Sequence, residues 1–152
     1  MATSPLRTIG YEGASMNDFL DALRVAGVEL LVDVRAVTSS RRPGFSKTRL
    51  AATLDESGIG YLHLRGLGTP ADGRAAARSG RHAEMRRIFG EHMQEPQARD
   101  DLATLVGIVR SGRRVCLLCF EADAAHCHRA IVADAVRAAT GAPIDHLAPE
   151  KE

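Results

Sequence analysis

The stretch Arg114-Val115-Cys116-Leu117-Leu118-Cys119-Phe120-Glu121, followed by Ala122-Asp123-Ala124-Ala125-His126-Cys127-His128-Arg129, decides how the chain is read. Four apolar residues lead into Cys119 and Phe120 follows it, the pattern of a strand buried on both faces. Asp123 is an N-cap residue by type, and Ala130 to Ala139 is nearly all apolar, so a helix follows at once, with Cys127 in its first turn. A buried strand passing directly into a helix is the unit of a parallel sheet covered on both sides. The same junction gathers two cysteines, two histidines, a glutamate and an arginine. It marks where chemistry sits without saying which.

Working outward, the same alternation recurs. Thr8 to Tyr11 is a short first strand closed by Glu12-Gly13. Ser15-Met16-Asn17-Asp18 resembles a capping box, and Met16, Phe19, Leu20, Leu23 and Ala26 then recur at helical spacing before Gly27, a C′ glycine. Val28 to Val34 is an apolar strand broken only by Glu29 and Asp33. After a basic loop over 36–46, Ser46 caps a second helix that turns Leu50, Ala51 and Leu54 inward and closes at Gly58. Ile59 to Leu64 is the third strand. Gly66 to Gly80 lacks periodic apolar residues and is read as a mobile loop or lid. Helices over 81–94 and 97–110 flank Pro96, and 143–147 is a last short strand. The order β-α-β-α-β-α-α-β-α-β predicts a single Rossmann-like three-layer α/β domain. Its mostly parallel sheet has about five strands with helices on both faces. The domain spans 7–148, with short tails at 1–6 and 149–152.

Composition bounds the rest. The chain has 152 residues, 45% hydrophobic and 26% charged, as in a water-soluble globular domain. No apolar run approaches a membrane span, and the first residues lack a signal-peptide h-region. Three cysteines form no disulfide framework, so the expected location is the cytoplasm, with reduced thiols. A net charge of +1 gives no global drive toward nucleic acid or membrane. Lys47 and Lys151 are the only lysines among the 20 basic residues; arginine suits bidentate anion contacts, but its spread over the whole chain favours codon bias as the explanation of the excess.

Ligands of open parallel sheets bind outside the carboxyl ends of the strands. There the chain places Tyr11 and Glu12, then Asp33 and Arg35, then His63, then Cys119 and Glu121. Alternation puts Asp33 with Arg35, and Cys119 with Glu121, on shared faces. A charge in an apolar strand is costly unless paired, so Asp33 and Arg35 bind either each other or a ligand. Cys127, at a helix start beside His126, His128 and Arg129, is a thiol in a setting that lowers its pKa. Cys116 is core. The Cys-x5-Arg phosphatase pattern fails, since Ala125 and Ala133 stand where arginine is needed. The zinc-deaminase pair, the phosphate-binding P-loop and G-x-G-x-x-G are also absent.

The chain resembles the domain of unknown function 488 family. The likeness rests on Thr8 to Gly13, Leu31-Val32-Asp33-Val34-Arg35, Arg41-Arg42-Pro43-Gly44-Phe45-Ser46-Lys47, Gly58 to Leu64, Leu67-Gly68, Leu117-Leu118-Cys119-Phe120-Glu121 and Cys127-His128-Arg129. Ala124 and Thr38 stand where the family often has proline. The resemblance implies a compact α/β fold with a site built from Asp33, Arg35, His63, Cys119, Glu121, Cys127, His128 and Arg129, and it supplies no substrate. The Val-Asp-Val-Arg strand also looks like that of rhodanese domains, whose active loop has no counterpart here.

Three functions follow as expectations. The first is a small enzyme with Cys127 or Cys119 as nucleophile and His128 or Glu121 as acid or base. It would bind a phosphorylated or nucleotide-like anion through Arg129, Arg35, Asp33, His63, Tyr11 and Arg42. The second is a nucleic-acid or nucleotide-binding module using Arg41, Arg42, Lys47 and Arg49, with Phe45 for stacking. The third is a mixed-ligand site for zinc or iron, made by Cys119, Cys127 and His128 or His126, with His63 nearby; the Cys-x7-Cys spacing is not that of a zinc ribbon.

Overall fold

Near-continuous apolar runs become strands here because both sheet faces are covered. The computed structural model describes residues 4–150, so the outer ends of the two expected tails lie outside the described residues. The strands are β1 (Leu6–Gly10), β2 (Leu30–Asp33), β3 (Gly60–His63), β4 (Val115–Cys119) and β5 (Ile144–Leu147). They form one five-stranded sheet in the order β3-β2-β4-β1-β5, with every pairing parallel. The helices are α1 (Met16–Val25), α2 (Lys47–Glu56), α3 (Ala71–Arg78), α4 (His82–His92), α5 (Pro96–Arg110) and α6 (His128–Thr140). None is long and apolar enough to cross a membrane.

Period-two alternation builds the two cores. Ile9, Leu31, Cys116 and Leu118 pack with Phe19 and Leu23 of α1 and with Leu50 and Leu54 of α2. Leu30, Val32, Leu117 and Leu6 turn the other way, onto Met85, Phe89, Leu105, Val109, Val132 and Val136. The three-layer α/β architecture expected from the strand pattern is therefore the one observed.

The punctuation of α1 is also as read. The Ser15 side chain accepts from the Asp18 N–H at 3.0 Å. At the other end Gly27 adopts φ +70°, while the N–H groups of Gly27 and Val28 reach back to the carbonyls of Arg24 and Leu23, a Schellman closure. Ser15→Ala is expected to lower folding stability by about 1 kcal/mol, read as a lower urea midpoint at unchanged slope.

One element overturns an expectation. Residues 66–80 are not a loop: a short 3-10 turn at Arg65–Leu67 leads into α3. Alanine-rich sequence favours helix without any apolar stripe. The inner face of α3 is Gly73 and Ala76, small enough to leave no periodic signal. A Cβ on Gly73 would come within 2.5 Å of Thr69 Cγ2 and 3.2 Å of Ile88, so glycine lets α3 lie against α4.

Candidate functional site

The carboxyl ends of β1, β2 and β4 are neighbours, with Gly10 opposite Cys119 and Asp33 opposite Leu118. Asp33 and Arg35 answer each other. Arg35 Nε donates to Asp33 Oδ1 at 2.9 Å and Nη2 to Oδ2 at 2.7 Å, a bidentate pair with the residues 0% and 5% exposed. Arg35 Nη1 donates to the Phe45 carbonyl at 2.8 Å and to Tyr11 Oη at 3.2 Å. Tyr61 donates its hydroxyl to Asp33 Oδ2 at 2.5 Å. Burial opposes the Arg35 charge, but Asp33 outweighs it and holds the guanidinium above its ordinary pKa. Burial and the bond to Asp33 likewise raise the Tyr61 phenol. With each of its side-chain nitrogens on an internal acceptor, Arg35 anchors the basic loop rather than offering a bare anion contact. His63 Nε2 meets the Arg35 carbonyl at 2.8 Å and does not line the cleft described below.

Beyond β4 the chain differs from expectation in how it enters α6. Asp123 caps not α6 but a separate 3-10 turn, Ala124–His126, accepting from the Ala125 N–H at 2.9 Å. Cys127 is then extended (φ −124°, ψ 144°) and is itself the N-cap of α6. Its sulfur faces the Arg129 N–H at 3.5 Å. Arg129 is 0% exposed; Nε donates to Thr8 Oγ1 at 3.1 Å, Nη2 to the Ala122 carbonyl at 3.2 Å, and Nη1 to the Glu121 carbonyl. It holds the wall of the site from behind and does not reach the cleft. Gly10 completes that support, because the Glu121 carbonyl occupies the place of a Cβ.

Cys119, Cys127 and His128 form one buried cluster. His128 Nε2 lies 2.7 Å from the Val34 carbonyl; a carbonyl only accepts, so Nε2 carries the hydrogen and Nδ1 faces the sulfurs. Nδ1 is 3.6 Å from Cys119 Sγ and 3.7 Å from Cys127 Sγ. Cys119 also donates to Glu121 Oε2 at 3.1 Å. Burial, then Cys127 and Glu121, raise the Cys119 thiol. Burial also opposes a Cys127 thiolate, but the bond from Cys119 and the charges of His128 and Arg129 carry its pKa well below normal. His128 is raised despite burial, because Cys127 favours the imidazolium. Burial and the Cys127 charge raise Glu121. The two sulfurs are thus driven in opposite directions, Cys119 toward the thiol and Cys127 toward the thiolate.

A cleft of about 990 Å³ opens over this cluster. Cys119, Glu121 and His128 line it on the β4–α6 side; Arg41 and Arg42 of the basic loop and Arg74 and Arg78 of α3 also line it. Tyr11, Glu12, Arg35, Phe120 and His126 are among its other lining residues, whereas Cys127 does not reach it. The guanidinium groups of Arg41 and Arg78 have no hydrogen-bond or ion-pair partner among the described residues. Arg42 donates to the Ala14 carbonyl and Arg74 to the Thr69 carbonyl at 2.8 Å. Phe45 is buried against Tyr11, its ring stacked at 4.4 Å, so it is not open to a base. Lys47 and Arg49 are exposed on α2 outside the cleft. Arg74 and Arg78 were not singled out from the sequence; the alanine-rich propensity of α3 was the signal that would have found them. Exposed Phe120 was read only as strand. His126 stacks on His82 at 4.1 Å, away from the sulfur cluster.

Fold and site define a parallel α/β protein with a Cys-Cys-His cluster beside a carboxylate under a cationic cleft. The chain belongs to the family described as Domain of unknown function DUF488, whose model matches residues 15–136. The matched segment includes both halves of the junction around β4 and leaves out the Thr8–Gly13 stretch. No curated protein and no solved structure matches the chain at significant similarity.

Proposed function

We propose that the protein is a small cytoplasmic enzyme that holds a phosphorylated or nucleotide-like anion in the cleft and acts on it at the wall made by Cys119, Glu121 and His128. The observation that carries this is that the reactive wall and the cluster of arginines line the same cavity. Five arginines line it against two glutamates, Glu12 and Glu121, so an anion is favoured there. Its volume, about 990 Å³, is that of a small-molecule site. Cys119 is the thiol that meets a ligand; Cys127 acts through it and through His128. The free, buried thiols accord with a reducing compartment. The nucleic-acid reading is less well supported, because its basic residues divide between cleft and outer surface and its stacking ring is buried.

Calorimetric titration with a nucleoside monophosphate and with pyrophosphate tests the reading. Arg78→Ala and Arg41→Ala are each expected to weaken binding about tenfold or more, since a charge-assisted hydrogen bond contributes about 1.5–3 kcal/mol. Affinity should also fall with added salt. Unchanged affinity in the double variant would remove the cleft as the anion site.

A further inference from the structure

We propose that Cys119, Cys127 and His128 bind a single zinc ion, with the fourth coordination position open to the cleft beside Glu121. This rests on the reading above, since it names what the reactive wall carries. The geometry comes first. With Zn–S near 2.3 Å and Zn–N near 2.0–2.1 Å, a tetrahedral ion sets each S···N separation at about 3.6 Å. The observed separations are 3.6 Å and 3.7 Å, and all three ligand atoms lie within 4.8 Å of one another. A hydrogen bond from one imidazole nitrogen favours one sulfur over the other; near-equal distances to both are what a shared central ion requires.

Orientation and chemistry agree with this. The Nε2–H of His128 is fixed on the Val34 carbonyl, the outer-shell arrangement that presents Nδ1 as a ligand. Two thiolates and an imidazole suit zinc over magnesium or calcium, which prefer oxygen. The three ligands come from the end of β4 and the start of α6, rigid elements held by Arg129 and Gly10. Glu121 Oε2 is 3.1 Å from Cys119 Sγ and lines the cleft, so the remaining position meets solvent or substrate. That is the pattern of a catalytic rather than a closed structural zinc site. The thiols are ligands in this state, and loading the ion releases to solvent the Cys119 thiol proton and the one proton held between Cys127 and His128 Nδ1. Cys116 packs in the opposite core and takes no part.

The test uses the untagged full chain, reduced, stripped with a chelator and titrated with cobalt(II), then zinc(II). The expected result is one cobalt per chain, with tetrahedral d–d absorption and thiolate charge transfer, both lost when zinc displaces it. Cys127→Ser and His128→Gln should abolish these bands, and Cys116→Ala should keep them. Should the ligand variants fail to fold, wild type still decides: zinc should slow modification of Cys119 by a thiol reagent by about tenfold or more, and chelator should restore it. Folded, reduced wild type that takes up neither ion, or cobalt spectra without thiolate charge transfer, overturns the site. A chain that loads cobalt but binds no nucleotide or pyrophosphate refutes the functional reading and leaves the metal site standing. Anion binding without metal uptake does the reverse.

Discussion

Arg35→Ala is expected to cost about 3–5 kcal/mol of folding stability, because it leaves the Asp33 carboxylate buried without its cation. Asp33 is 0% exposed, so solvent screening gives no relief. Its remaining donors would be the Tyr61 hydroxyl and the backbone N–H of residue 35. For a domain whose total stability is typically about 5–15 kcal/mol, that is a large fraction. Urea denaturation reads it as a fall in midpoint, and a loss below about 1 kcal/mol would show that the pair is not buried as described. Removing both charges separates pairing from packing. The double change Asp33→Leu with Arg35→Met should recover much of the loss, since an apolar pair escapes the desolvation that the ions suffer. Recovery of stability need not bring back function. Arg35 also holds the Phe45 carbonyl, and through it the loop that carries Arg41 and Arg42 to the cleft. The double variant should therefore fold and still bind anions weakly.

That pair shows what a sequence does and does not make legible. Two charges beside an apolar strand announce a buried interaction, but their bidentate geometry and the roles of Tyr61 and Phe45 depend on contacts across many residues of chain. The sheet was readable because parallel strands covered on both faces need unbroken apolar runs, and these stand out in β2 and β4. Helix α3 was not, since its inner face is glycine and alanine. Its arginines were hidden with it, and one side of the cleft went unseen. At the junction, residue types indicated a cluster of thiols and imidazoles but not which sulfur lines the cleft. That depends on the extra 3-10 turn, which shifts the start of α6 to Cys127 and keeps its sulfur deeper than Cys119.

Arg129→Met should be the most damaging change at the site that touches neither a proposed ligand nor the cleft. The guanidinium is fully buried, and the acceptors it meets are the Thr8 hydroxyl and the carbonyls of Glu121 and Ala122. Methionine fills similar volume without donating, so each of the two half-buried carbonyls loses its donor, at a cost of up to about 1–3 kcal/mol. Loss of a costly buried cation offsets part of this. The net is a destabilisation of about 2 kcal/mol or more, read by urea unfolding. The damage should also be local. Arg129 ties the segment after β4 to β1 through Thr8, so its loss should free residues 121–126 first, seen as faster amide exchange there than in α5. Arg129→Lys should fail to restore protection, because one ammonium lacks the planar fork that reaches acceptors on two elements. Unchanged exchange over 121–126 in Arg129→Met would mean that the wall is held by Gly10 and the β1–β4 pairing alone. The close fit of Gly10 under the Glu121 carbonyl would then be the feature that sets where Cys119 and Glu121 stand.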